Sequence, residues 1–146
     1  MKKYSRELIL KEVRNHAVPA VQIKNSTTIA DFARAFYDDD LTIYESAFVI
    51  LLNHANKTIG WAKIGQGGIC STVVDVKLIC KYAIESLSSA VVFVHNHPTG
   101  NTNPSGVDDT LTRRIKDALK IMDVRLLDSV IITEESHYSY FDNGRL

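Results

Sequence analysis

The hydrophobic positions of this chain change period from one segment to the next. Ile29, Phe32, Ala33 and Phe36 recur at the three- and four-residue spacing of one helix face. Ser26, Thr27 and Thr28 precede them with oxygens suited to an N-cap, and Asp31 follows Thr28 by three residues. A first helix of about ten residues is predicted there. From Ile43 to Leu52 the run is almost wholly apolar, with Ile43, Tyr44, Phe48, Val49 and Ile50, the mark of a strand covered on both faces. His54 to Lys57 reads as a turn and Thr58 to Gly65 as a returning strand, with Gly65, Gly67 and Gly68 loosening its exit. Asp75 caps a second predicted helix carrying Val76, Ile79, Cys80, Ala83, Ile84 and Leu87 on one stripe. Ala90 to Val94 is a further strand. After a Pro/Gly/Asn loop, a helix starting near Ser105 has Leu111, Ile115, Ala118, Leu119 and Met122 in register. Val124 to Thr133, around Asp128, and Tyr138 to Phe141 read as the last two strands.

Strands and helices interleave, yet the hairpin over 43–65 has to be antiparallel. The expected fold class is therefore α/β (α+β mixed), with a mixed β-sheet flanked by helices. Without repeats or linker-like tracts, the chain reads as one unit over 26–146 preceded by an extension over 1–25. Composition then narrows the function classes. The 17 basic residues balance 17 acidic ones, so net charge gives no general attraction to nucleic acid or to an anionic membrane. Any such binding has to come from a local patch. Cys70 and Cys80 lack CxxC spacing, so neither a disulfide framework nor a cysteine zinc site is indicated, and buried thiols in a reducing compartment are expected. The N-terminus has no apolar core of signal-peptide length, and no apolar run approaches the roughly 20 residues that span a bilayer. A cytoplasmic location is expected.

The candidate chemistry lies in HNHPTGNTNPSGVDD, from His95 to Asp109. Side chains two apart on a strand share a face, so His95 and His97 project together, about 7 Å apart along the backbone. Asp108 falls within about 60° of Leu111 and 20° of Ile115 around the predicted helix, which turns its carboxylate inward. The turn-prone loop from Thr99 to Pro104 lets the helix start meet the strand end. Two imidazoles and a carboxylate suit zinc, and three protein ligands leave a fourth position open for water. Each part alone has a plainer reading: Ser105 and Asp108 fit a capping box, and the histidines fit a hydrogen-bonded structural pair. Neither plain reading calls for the other, so together they favour a metal. Glu45 is the candidate proton acceptor, on the face of Ala47, Val49 and Leu51, where a carboxylate is costly unless something holds it. Its plainer reading is a solvated residue ahead of the buried run. Glu85 is a weaker rival, expected on a solvated helix face.

Glutamate on an early strand, then His-x-His, seven residues, Ser, two residues and Asp, resembles the JAB/MPN-type (JAMM) metalloprotease motif. The wording HNHPTGNTNPS, with GGICSTVVD before it and TRRIKDA and LLDSVII after it, is similar to the RadC family in particular. The likeness runs from about residue 28 to the C-terminus. It implies a JAB/MPN-like (cytidine-deaminase-like) fold in which His95, His97, Asp108 and a water hold Zn2+. It further implies that Glu45 acts as general base and then proton donor, and that Ser105 helps stabilise the tetrahedral oxyanion. A zinc-dependent hydrolase of peptide or isopeptide bonds is the expected activity. RadC-like proteins are traditionally linked to DNA repair and usually carry an N-terminal helix-hairpin-helix region, which 25 residues are too few to hold. A short, catalytic-domain-only relative is therefore expected.

The alternative is a DNA-associated repair or recombination module with structural or vestigial zinc. Between Arg113 and Arg125 the basic residues Arg113, Arg114, Lys116, Lys120 and Arg125 outnumber two acidic ones. On an amphipathic helix such charges are usually the solvated face. The letters HNH do not indicate an HNH nuclease, whose residues are spread over a ββα unit.

Overall fold

The computed structural model describes residues 19–37, 39–68 and 73–146. Cys70 and most of the expected extension over 1–25 lie outside them. The elements are α1 (Ser26–Arg34), β1 (Ser46–Leu52), β2 (Thr58–Gln66), α2 (Val76–Glu85), β3 (Ala90–Asn96), α3 (Gly106–Ile121), β4 (Arg125–Ile132) and β5 (His137–Ser139). They build one five-stranded sheet in the order β2-β1-β3-β4-β5. β3 and β4 are parallel and the other neighbours antiparallel, so the sheet is mixed, as expected.

Period-two alternation sorts the strand residues between two apolar layers. Phe48, Ile50, Leu52, Val92 and Val94 face α1, packing with Ile29, Phe32 and Phe36. Ala47, Val49, Leu51, Val91 and Phe93 face α2 and α3, packing with Ile79, Ala83, Ile115 and Leu119. Both faces of β1 and β3 are thus covered, which is why their sequences read as unbroken apolar runs. Ile23 joins the layer beneath α1, and Thr58 donates its backbone N–H to Val21.

Three local expectations are corrected. The cap of α1 is Asn25, whose side chain accepts from Thr28 N–H, one residue earlier than expected. The strand over 43–52 begins only at Ser46, because Ile43 and Tyr44 turn toward solvent, 48% and 41% exposed. The stripe on α2 is narrower than its hydrophobic count, since Ile79 and Ala83 are buried while Ile84 and Leu87 are exposed. Leu87 sits at φ 51°, just past the helix end, with its N–H on Ile84 O and the next N–H on Ala83 O. That is a Schellman closure, and it swings the side chain outward. Glu85 is exposed and lies 3.9 Å from Lys81, as expected of a solvated face.

Candidate metal centre

The site lies where β1 and β3 end together, on the face covered by α2 and α3. Ala47 pairs with His95, and extending this antiparallel register by two residues sets Glu45 across from His97. Although Glu45 precedes β1, its backbone still pairs: Gly67 N–H donates to Glu45 O at 2.8 Å. The sheet continues through the turn, and Glu45 stays half-buried. Asp108 arrives from the opposite layer, in the first turn of α3. Its carboxylate accepts from Ser105 N–H at 2.7 Å, and the Ser105 hydroxyl accepts from Asp108 N–H at 3.1 Å. The plain capping-box reading of this pair therefore holds, and it leaves Oδ1 beside His95 while Oδ2, which accepts from Ser105, also lies beside His97.

His95 and Asp108 are buried and His97 is half-buried. Nε2 of His95 lies 3.2 Å from Nε2 of His97 and 3.2 Å from Oδ1 of Asp108, while Nε2 of His97 lies 3.4 Å from Oδ2. With Glu45, one donor atom from each of the four residues falls within 4.8 Å of all the others. Tetrahedral zinc with bonds of about 2.0–2.2 Å separates its ligand atoms by about 3.3–3.6 Å. The donor set therefore has the chemistry and spacing zinc needs. Nδ1 of His97 lies 2.7 Å from Asn101 O, and because a carbonyl only accepts, that nitrogen carries the hydrogen. The Nε2 lone pair is thereby turned toward the cluster, a common support for a ligand histidine. Nδ1 of His95 is buried without a partner among the described residues, and its ring stacks on Phe93.

The electrostatics agree. Burial opposes ionisation of Asp108, but hydrogen bonds from His95 and His97, the His95 charge and Ser105 N–H together hold its carboxyl far below the usual carboxylate range. His97 is raised, chiefly by its hydrogen bond to Asp108 and against desolvation, with Asn101 O and the charges of Asp108 and Glu45 adding to the rise.

A family profile described as RadC-like JAB domain matches residues 23–145. The chain belongs to this family. It is 44% identical over 101 residues to the UPF0758 protein of Flavobacterium johnsoniae, covering 69% of this chain and 44% of that relative. The UPF0758 protein of Porphyromonas gingivalis is 33% identical over 135 residues, or 88% and 59% of the two chains. UPF0758 protein YfjY of Escherichia coli is 35% identical over 102 residues, or 70% and 64%. The chain spans about half the length of the curated relatives it matches.

In this RadC-like JAB domain, one residue of the site carries no signal in the sequence pattern. Asn96, fully buried between the two histidines, points to the face opposite theirs. Its Oδ1 accepts from Ser46 N–H at 2.7 Å, and its Nδ2 donates to Leu41 O at 2.6 Å and Tyr44 O at 2.8 Å. It staples the segment carrying Glu45 to the strand carrying the histidines. Tyr37 adds a second tie from the α1 side, donating its hydroxyl to Ser46 O at 3.2 Å. Burial, reinforced by Asp40 and Glu45, raises that hydroxyl beyond its ordinary range, so it remains a donor.

Proposed function

We propose that this chain is a zinc-dependent hydrolase of the JAMM type that cleaves a peptide or isopeptide bond. The observation carrying this reading is the convergence of Glu45, His95, His97 and Asp108 within 4.8 Å, at separations that suit tetrahedral zinc. His95, His97 and Asp108 would hold the metal. When bound, zinc supplies a Lewis acid that brings the pKa of a water to about 7 and polarises a carbonyl.

The chain's own residues supply the proton transfers. Glu45 takes one proton as the water oxygen bonds to the substrate carbonyl carbon. It returns that proton to the leaving nitrogen as the C–N bond breaks, giving a carboxylic acid and an amine. Its half-burial keeps the carboxylate beside the cluster while leaving a route for exchange. The Ser105 hydroxyl, already accepting from Asp108 N–H, still has its own hydrogen and donates it to the oxyanion. Asp108 and His97 stay fixed throughout, one by the helix cap and the other by Asn101 O. A RadC-like JAB domain match and the absence of any helix, among the described residues, able to cross a membrane are compatible with this role.

The test is metal analysis of purified protein, paired with turnover on peptide and isopeptide substrates. One zinc per chain is expected. Glu45→Gln should retain that zinc and lose activity by a factor of about 10² or more. Protein that binds no zinc sinks the proposal. Zinc-loaded protein with no turnover above Glu45→Gln on these substrates or on DNA would favour a DNA-associated module with structural zinc.

A further inference from the structure

We propose that a hollow between α3 and the C-terminal segment binds a phosphate group. This inference does not depend on the hydrolase reading. The hollow measures about 320 Å3, with Asp109, Arg113 and Lys116 of α3 on one side, and Tyr140, Arg145 and Leu146 of the C-terminal segment on the other. Three cationic side chains therefore surround one carboxylate.

That carboxylate is already matched. Asp109 accepts from the Tyr140 hydroxyl at 2.8 Å and from Nη2 of Arg145 at 2.6 Å. The Arg145 guanidinium is held in place, 5.5 Å above the Tyr140 ring and with Nη1 3.3 Å from the Tyr138 hydroxyl. Arg113 and Lys116, by contrast, are exposed and make no ion pair or side-chain hydrogen bond among the described residues. With Asp109 paired to Arg145, Arg113 and Lys116 leave the hollow an excess of positive charge, which a bound anion offsets. A phosphate fits better than a carboxylate. It offers three or more acceptor oxygens to two guanidinium groups and an ammonium, whereas a carboxylate has only two. The volume lies at the lower end for small-ligand sites, enough for a phosphate and one attached group.

The hollow also redraws the basic cluster legible in the sequence. Arg114 is turned about 100° from Arg113 around α3. Arg125 donates to Asn56 Oδ1 at 3.0 Å, well away from the hollow's lining. Arg145, outside the run between 113 and 125, completes the site instead.

The phosphate has two sources, a nucleic-acid backbone or a phosphorylated small molecule. The experiment is titration of the full chain at low salt with inorganic phosphate, and separately with a short single-stranded oligonucleotide, followed by backbone-amide NMR shifts. Phosphate should shift the amides of Asp109, Arg113 and Tyr140. Arg113→Gln/Lys116→Gln should weaken binding about tenfold or more, while Arg114→Gln and His97→Ala leave it unchanged. Preserved amide dispersion in each variant separates loss of binding from loss of folding. An oligonucleotide that competes with phosphate and loses affinity in the same double variant identifies the nucleic-acid source. Phosphate binding without oligonucleotide binding identifies a small phosphorylated ligand. The proposal is overturned if phosphate causes no shifts, if Arg114→Gln weakens binding as much as the double variant, or if His97→Ala abolishes it.

Discussion

Ser105 has two assignments that different substitutions separate. As the N-cap of α3 it accepts from Asp108 N–H, and as an oxyanion donor it would use the hydrogen that this bond leaves free. Glycine is nearly as good an N-cap as serine, whereas alanine costs about 1 kcal/mol. Ser105→Gly is therefore expected to change stability by a few tenths of a kcal/mol and to lower kcat about 10²-fold; denaturant unfolding and steady-state kinetics would read the two separately. A kcat unchanged by the glycine variant would return Ser105 to the cap alone. The neighbouring ligand candidates make a pH prediction. In the metal-free chain the raised pKa of His97 contributes stability that is present below its unfolded value, about 6.5, and is lost as pH rises through the folded value. The depressed pKa of Asp108 contributes stability present above its unfolded value, about 4, and lost as pH falls toward the folded value. Both contributions therefore hold between about pH 4 and 6.5. Zinc would have to displace the His97 proton, so its stabilising effect should run the other way. Thermal unfolding with and without zinc should show a small rise in Tm at pH 5 and a rise of several degrees at pH 7.5. Equal rises at the two pH values would argue against His97 as a ligand.

At the scale of elements, the geometry of the candidate metal centre depends on how two strand ends are held in register. Asn96 is the link, with three hydrogen bonds from β3 to the backbone over Leu41–Ser46. Replacing it by leucine would leave Ser46 N–H buried without a partner and two half-buried carbonyls without their donor, at a cost of about 2–4 kcal/mol. Its functional effect should be selective, because His95, His97 and Asp108 are positioned by β3 and α3 and not by this staple. Asn96→Ser, which removes less volume and can restore one bond, is expected to keep zinc content near wild type while kcat falls at least tenfold; metal analysis beside single-turnover rates would read both. Loss of zinc in parallel with activity would mean that the staple supports the whole centre. Much of this scale was legible in the sequence. The apolar runs of β1 and β3 announce burial on both faces, and Ser105 with Asp108 announces the start of α3. Other parts were not, for identifiable reasons. Hydrophobic counts on α2 do not reveal that its layer is shared with α3, so Ile84 and Leu87 read as core. The ends of α2 and α3 close through Leu87 at φ 51° and Asp123 at φ 56°, left-handed positions that glycine would have flagged. Asn96 was hidden because its partners are backbone atoms some fifty residues away, which no local pattern records.

For the molecule as a whole, the strand edge far from Glu45 is secured by a buried carboxylate. Asp128 lies on β4, 3% exposed, and accepts from Ser129 N–H at 2.7 Å, Ser139 Oγ–H at 2.6 Å and Phe141 N–H at 3.0 Å. It thereby fastens β5 and the following turn, which carry Tyr140 and Arg145 to the phosphate hollow and Asp142 to Ser26 on α1. Burial raises its pKa against these three donors. An acid with a raised folded pKa loses stability as pH climbs from the unfolded value, about 3.9, to the folded one, and the loss persists above it. An amide removes that electrostatic cost while its carbonyl oxygen still accepts from Ser129 and Phe141, and its NH2 still meets the Ser139 oxygen. Asp128→Asn should therefore lie within about 1 kcal/mol of wild type at pH 7. Asp128→Ala leaves three donors without their acceptor and should cost about 2–3 kcal/mol, a fall in Tm of roughly 6–9 °C for a chain of this size. Because β3 lies between β4 and β1, that loss should weaken phosphate binding while sparing zinc affinity. Thermal unfolding and both titrations on the two variants would decide it, and an alanine variant as stable as the asparagine one would show that the edge is held by packing instead of by this carboxylate.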